Sequence, residues 1–262
     1  MNEFNGKVAI ATGAATLLGQ GIARAFVDAG ACVVIADIDV ENGEALAREL
    51  GETALFMRTD ITQDASIDAC IAVALARFSR IDFLVNMAST YLDNGIATTR
   101  EDWLASLNIN LVGGQIFSQK VAPEMAKIGG GAIVNFGSIA GKVSQPGRMT
   151  YSAAKAAILR ITGNAAMQLR PMNVRVNSVS PGWTWSSIMK MAMGDERAKA
   201  DAVAAPFHMF GRTGDPAELA DAVLFLCSER ARFITGTDLA VDGGYTAMGP
   251  EGMVDAVAKL ME

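Results

Sequence analysis

The chain has 262 residues, 51% of them hydrophobic, with a net charge of −6, one histidine and three cysteines. That length suits a single α/β domain with a large core, and the acidic balance argues against broad binding to nucleic acid or to an anionic membrane, because nothing offsets repulsion by phosphate. His208 alone cannot build a histidine triad or a zinc site, and Cys32, Cys70 and Cys227 lie far apart in apolar runs, so buried, reduced thiols and no metal are expected.

No apolar run reaches the roughly 18 to 20 residues of a membrane span. The opening MNEFNGKVAIAT lacks the apolar segment and cleavage site of a signal peptide, so a cytoplasmic location is expected. Short β-branched runs at 8–11, 32–36, 54–57, 81–85, 132–136, 174–179 and 238–241 alternate with stretches of helical period at about 18–29, 41–50, 64–78, 100–127, 151–170 and 216–228. The strands read as unbroken apolar runs, the pattern of strands buried on both faces of a parallel sheet. Seven strands alternating with helices predict an α/β fold: a doubly wound (Rossmann) seven-stranded parallel sheet with helices on both faces, as one domain over 1–262.

The first strand runs into Thr12-Gly13-Ala14-Ala15-Thr16-Leu17-Leu18-Gly19 before a helix. A glycine-rich turn there exposes backbone N–H groups at the positive end of the helix, where a pyrophosphate can bind. Asp37 closes the second strand, 24 residues after Gly13. A carboxylate there accepts hydrogen bonds from the ribose hydroxyls and repels a 2′-phosphate, and Ala14-Ala15-Thr16 and Ile38 offer no cation, so NAD is favoured over NADP. In the long fourth helical stretch, Asn110 is a polar amide among apolar neighbours and needs partners. Gly129-Gly130-Gly131 ends that stretch, and Ser138 follows the fifth strand at its carboxyl end, facing the ligand crevice. Tyr151 and Lys155 share one face of the next helix, so phenol and ammonium enter the same space. A tyrosine working as a base near neutrality must be acidified by about three units, and a nearby cation acts in that direction.

Beyond the sixth strand, 183–210 is the least regular stretch and stands where a substrate lid would sit. It is rich in Trp183, Trp185, Met189, Met191, Met193, Phe207, Met209 and Phe210, which either pack the lid onto the sheet or shelter an apolar, cyclic or aromatic substrate. His208 is read as structural. Asp215-Pro216-Ala217-Glu218 carries a capping box with proline at the first helical position. Residues 249–262 form a C-terminal extension with amphipathic helical character.

Read together, these residues resemble the short-chain dehydrogenase/reductase family over nearly the whole chain, from Lys7 to Gly244. Thr12-Gly13 through Gly19 is similar to its cofactor turn, Thr59-Asp60-Ile61 to its adenine contact and Leu84-Val85-Asn86 to the motif after the fourth strand. Asn110, Ser138, Tyr151 and Lys155 match its catalytic tetrad, Pro181-Gly182 with Thr184 its nicotinamide-side turn, and Asp242-Gly243-Gly244 the close of its last strand. The resemblance implies an oxidoreductase that transfers a hydride between NAD(H) and a secondary alcohol or ketone. In that scheme Tyr151 handles the proton, Ser138 holds the substrate oxygen, Lys155 binds the nicotinamide ribose and acidifies the tyrosine, and Asn110 anchors a water. Gly13, Leu18, Gly19, Asp37, Asp60, Ile61, Asn86, Pro181, Gly182 and Thr184 join Tyr151 and Lys155 around the cofactor. Gln145, Trp183 and Met189 join Ser138 and Tyr151 around the substrate. It also implies a homotetramer or homodimer paired through the stretches 100–127 and 151–170.

Two positions depart from the family pattern. Leu17 stands where a middle glycine is usual, and Asn86-Met87-Ala88-Ser89 where Asn-Asn-Ala-Gly is usual. Leu17 is expected to shift the turn or weaken cofactor binding, and Met87 to reshape the pocket. They motivate a second reading, an NAD(H)-binding sensor or regulatory protein without turnover. The Tyr–Lys spacing of four differs from the seven of divergent enoyl reductases. No lysine or arginine stands among the pocket residues read from sequence, which argues against an acidic substrate.

Overall fold

The structure, a computed structural model, describes residues 3–262. Its sheet has seven strands: β1 (Val8–Thr12), β2 (Cys32–Asp37), β3 (Ala54–Arg58), β4 (Phe83–Asn86), β5 (Gly131–Phe136), β6 (Val174–Pro181) and β7 (Asp238–Val241). All pair in parallel, in the order 3-2-1-4-5-6-7. Every residue of β1 and β4 is buried, because helices cover both faces. On one face α1 (Leu17–Asp28), α2 (Val40–Leu50) and α9 (Pro216–Cys227) pack Ile22, Phe26, Leu46 and Val223 onto the sheet. On the other, α3 (Asp64–Phe78), α5 (Gly114–Lys127) and α6 (Met149–Leu169) contribute Ile67, Phe117, Val121 and Ala166. Side chains buried as fully as Phe26 and Phe117 each contribute roughly 1.5–3 kcal/mol to the fold.

From β1 the chain winds outward to β2 and β3, then crosses back to start β4 on the other side of β1. The carboxyl ends of β1 and β4 therefore diverge into the crevice where doubly wound sheets bind ligands. Thr12 staples that point: its hydroxyl accepts the backbone N–H groups of Met87 and Ala88, at 3.0 and 3.2 Å.

The stretch 100–127 is not one regular helix. α4 (Arg100–Leu107) passes through a widened π-type turn at Asn108–Gly113 before α5. Such turns cluster at functional sites, and this one holds Asn110. The stretch 183–210, expected to be a lid, is more ordered than its sequence suggests: α7 (Ser187–Met193) and α8 (Arg197–Ala204) are followed by a 3₁₀ turn, Ala205–Phe207. Helices of seven and eight residues are too short to display a period. In the C-terminal extension only Ala256–Leu260 (α10) is helical, and its apolar Val257 and Leu260 are exposed rather than laid over this subunit's pocket. Cys70 and Cys227 are buried, which pushes their thiols up to about 11 and about 12, whereas Cys32 is only half-buried, against expectation. Among the described residues no helix is long and apolar enough to cross a membrane.

Candidate active site

The cofactor turn is shaped by close approach. Gly13 has φ +69°, and a Cβ on it would stand 2.9 Å from the backbone of Ala88, so only glycine lets β1's turn meet the loop after β4. Thr16 then caps α1, its hydroxyl accepting the Gly19 N–H. Leu17 is the first residue of α1 and is absent from the residues with positive φ, so the dihedral freedom of a middle glycine is not needed here. Its N–H donates to the Ser187 hydroxyl at the start of α7 at 2.9 Å, a tie between α7 and the turn that the sequence did not disclose. Met87, expected to reshape the pocket, is buried in the core cluster with Phe83 and Val85.

Asp37, 8% exposed, turns its carboxylate back toward the turn. One oxygen accepts the Ala15 N–H at 2.9 Å and the other the Asp39 N–H at 3.0 Å. Each oxygen keeps a lone pair for a ribose hydroxyl. Asp60 uses one oxygen on the Thr62 N–H and hydroxyl and has the second to spare, beside buried Ile61. Gly182 is fixed by its N–H to Val241 O at 3.0 Å, just past Pro181 at the end of β6, and Thr184 is buried next to it. A bare-backbone turn at a helix N-terminus, with a carboxylate closing β2, fits NAD. Asn86 is placed differently: its side chain enters the sheet–helix interior, where its amide NH₂ meets Gly114 O, Ser118 Oγ and Asn135 Oδ1, and its own Oδ1 is buried without a partner. It ties α5 to the sheet, so any share it has in the crevice falls to its backbone.

The predicted acid–base residues do converge. Ser138, 9% exposed, follows β5 and caps a short 3₁₀ turn. That turn lies so close on α6 that a Cβ on Gly141 would stand 2.7 Å from the Lys155 backbone. Burial pushes the Tyr151 phenol far above its ordinary range, the neighbouring Tyr91 hydroxyl adds to this, and the Ser138 hydroxyl and Arg148 guanidinium pull it back down. Lys155 lies one turn further along α6. Its ammonium lies 5.5 Å from the Tyr151 ring centroid and donates to Phe136 O at 2.7 Å. Burial without an acid partner pulls it down to about 8.

Asn110 does not have an N–H to spare for a water. Its Oδ1 accepts the Thr90 N–H, and its amide donates to Thr90 O and to Ser106 Oγ, all within 3.0 Å. It clamps the loop after β4 to the π-type turn. That loop contributes two residues that the motif reading missed. Tyr91 stacks on Tyr151, with ring centroids 4.7 Å apart at 19°. Asp93 reaches across to α6, accepting the Tyr151 N–H at 3.2 Å and the Thr150 hydroxyl at 3.1 Å, while taking the Gly95 N–H itself. Burial alone would raise Asp93, but these hydrogen bonds hold its carboxyl below the usual range. The signal for Asp93 was only the Asp-Asn-Gly turn it opens; its partner lies 58 residues away.

On the substrate side, Gln145 reaches Tyr245, its Nε2 3.4 Å from the hydroxyl. Trp183 stacks against Phe207 and His208, and Met189 lies in α7, capped by Ser186. His208 is structural, as read: it accepts the Trp183 N–H at Nε2, so its Nδ1 carries the proton toward Ala204 O at 3.0 Å. Arg148, which the sequence reading did not place at the site, brings a cation to the predicted tyrosine: its guanidinium carbon lies 5.6 Å from the Tyr151 centroid and 4.7 Å from that of Tyr91.

A family model described as enoyl-(acyl carrier protein) reductase matches residues 13–246. The cis-4-hydroxycyclohexanecarboxylate dehydrogenase of Sinomonas cyclohexanicum is 37% identical, over 94% of this chain and 98% of its own. The chain belongs to the short-chain dehydrogenase/reductase family. This short-chain dehydrogenase/reductase is also 38% identical to the L-fucose dehydrogenase of Oryctolagus cuniculus, over 95% of its own length and 88% of that relative. Among solved structures it is similar to 7α-hydroxysteroid dehydrogenase complexed with NADH and 7-oxo-glycochenodeoxycholic acid, with a TM-score of 0.85, 32% identity, and 93% and 96% of the two chains covered. The family, the oxidoreductase class and the seven-stranded fold are as the sequence predicted.

Proposed function

We propose that this protein interconverts a secondary alcohol and its ketone with NAD(H), on a small cyclic carbon frame, with Tyr151 as the proton-transferring group. The observation that carries this reading is the convergence of Ser138, Tyr151 and Lys155 beside a bare-backbone cofactor turn whose ribose position holds Asp37. The relatives support the substrate class: they act on a hydroxycyclohexane and a cyclic sugar, and the solved structure holds NADH with a ring ketone.

NAD(H) supplies or accepts the hydride at the substrate carbon. The chain's own residues manage the oxygen and the proton. Ser138 Oγ donates to the substrate oxygen and stabilises the charge that develops there. In ketone reduction the Tyr151 phenol would give its Oη proton to that oxygen; in alcohol oxidation its phenolate would take the hydroxyl proton, and the buried Lys155 ammonium is the cation that favours that phenolate. Lys155, fixed to Phe136 O, holds the nicotinamide ribose. Asn110 keeps the loop of Tyr91 and Asp93 against α6, and residues 183–210 close over the substrate. Exposed Leu104, Val112 and Met167 on the α4–α6 side extend the reading to a dimer or tetramer, working in the cytoplasm.

The test is a panel of cyclic secondary alcohols with NAD and with NADP, followed by nicotinamide absorbance. Turnover with NAD, at least tenfold better than with NADP, is expected. Binding of NADH without turnover of any alcohol or ketone would favour a sensor instead.

A further inference from the structure

The helix that carries Tyr151 begins at an arginine. Arg148 holds the N-cap position of α6 but makes no cap hydrogen bond there. The helix dipole is positive at that end and disfavours a cation. Among the described residues no carboxylate lies within ion-pair distance of Arg148. Asp93, the acid on the adjoining loop, is committed to the N–H groups of Tyr151 and Gly95 and to the Thr150 hydroxyl, and it does the capping that Arg148 does not. What supports Arg148 is aromatic: its guanidinium carbon lies 4.7 Å from the Tyr91 centroid and 5.6 Å from the Tyr151 centroid. Contacts with two rings use none of the guanidinium's N–H donors in hydrogen bonds, and their planar fork stays available for a planar anion.

We propose that Arg148, steadied on Tyr91, binds a carboxylate carried by the substrate at the end remote from the reacting oxygen, so that the preferred substrates are hydroxy acids and keto acids. This rests on the reading of Tyr151 as the group that meets the reacting oxygen. The guanidinium stands over the ring of that same tyrosine, so a substrate whose oxygen meets Tyr151 Oη and Ser138 Oγ carries its far side past Arg148. A carboxylate fits better than a phosphate: one fork matches two coplanar oxygens, whereas a dianion beside Asp93 in a chain of net charge −6 would call for more than one cation.

Arg148 also pulls the Tyr151 phenol down, so the test must separate recognition from acid–base tuning. The ratio of kcat/KM for 4-hydroxycyclohexanecarboxylate over its carboxamide is measured in the wild type, Arg148→Gln and Arg148→Lys. A charge-assisted pair of this kind is worth roughly tenfold to a hundredfold in that ratio. The wild type should show that preference, chiefly in KM. Arg148→Gln should bring the ratio to about one, and Arg148→Lys should restore only part, because an ammonium cannot offer a fork. An equal fall for acid and amide in Arg148→Gln, confined to kcat and accompanied by a shifted pH profile, would reduce Arg148 to a tuner of Tyr151 and overturn the proposal. So would a wild type indifferent to the carboxylate.

Melting in the presence of NADH and cyclohexanecarboxylate or cyclohexanecarboxamide gives a readout without turnover. Stabilisation by the acid alone, lost in Arg148→Gln, supports the carboxylate site even if no alcohol is oxidised, in which case only the catalytic reading fails. No difference between acid and amide overturns the site whatever the turnover.

Discussion

Replacing Lys155 by methionine tests the electrostatics of the site directly. The ammonium is fully buried, has one hydrogen bond, to Phe136 O, and is pulled from 10.5 to about 8 by burial. A displacement of about 2.5 units corresponds to roughly 3 kcal/mol held against the folded state. At pH 7 both folded and unfolded chains carry the proton, so the folded protein bears the whole cost. Between about pH 8 and pH 10.5 the folded protein releases the proton while the unfolded chain keeps it. The unfolded state then binds more protons, and stability attributable to this group rises with pH until the cost is gone. Methionine keeps the unbranched stem and removes the charge, but it leaves Phe136 O without its donor, at about 1–3 kcal/mol. At pH 7 the two effects nearly offset, and the informative quantity is the pH dependence of the difference. Urea unfolding of wild type and Lys155→Met at pH 7, 8, 9 and 10, at one protein concentration because association contributes to stability, should show the wild type gaining roughly 3 kcal/mol on the variant between the ends of the full window. A difference that stays flat over pH 8 to 10 would mean that the ammonium is not held in a dry site, and the account of Lys155 would be wrong.

Three further substitutions probe the frame around it. Asp37→Ala removes the ribose acceptor and the partner of the Ala15 N–H, so the KM for NAD should rise about tenfold, the worth of one such hydrogen bond, while the preference over NADP shrinks; an unchanged NAD/NADP ratio would exclude Asp37 from cofactor choice. Gly13→Ala places a Cβ 2.9 Å from the Ala88 backbone at φ +69°, and should cost about 1–3 kcal/mol in unfolding experiments and most of the rise in Tm with NADH. Asp93→Ala should lose about 1 kcal/mol of capping and lower kcat more than KM. Because its folded carboxyl lies below the ordinary range, that contribution holds at neutral pH and above and fades as pH falls through the folded value, which unfolding at pH 7 and pH 3 would reveal.

The sequence was most informative where chemistry repeats locally. Continuous apolar strands announced a sheet buried on both faces, and Tyr151 and Lys155, one helical turn apart, announced a shared face. The glycine turn and Asp37 were legible because their spacing follows from one βαβ unit. What stayed hidden depends on contacts between distant segments. Nothing in the pattern around Asn110 disclosed that both its amide N–H groups go to Thr90 and Ser106. The sequence also did not disclose that the Asn86 amide faces Gly114 and Asn135 across the sheet–helix interface. No local signal showed that Met87 lies in the core or that the backbone of Leu17 is helical. Arg148 and Tyr91 lie 57 positions apart and meet only through the loop that Asp93 pins to α6.

The central claim is that the Tyr151 hydroxyl moves the proton. It is tested most directly by Tyr151→Phe, which keeps the ring and its stack on Tyr91 and deletes one oxygen. With NAD and the best alcohol of the panel, kcat should fall by roughly 10²–10⁴-fold, the scale of general acid–base catalysis, while NADH still raises the Tm as in the wild type. A Phe variant that binds NADH normally and turns over at the wild-type rate would contradict the account.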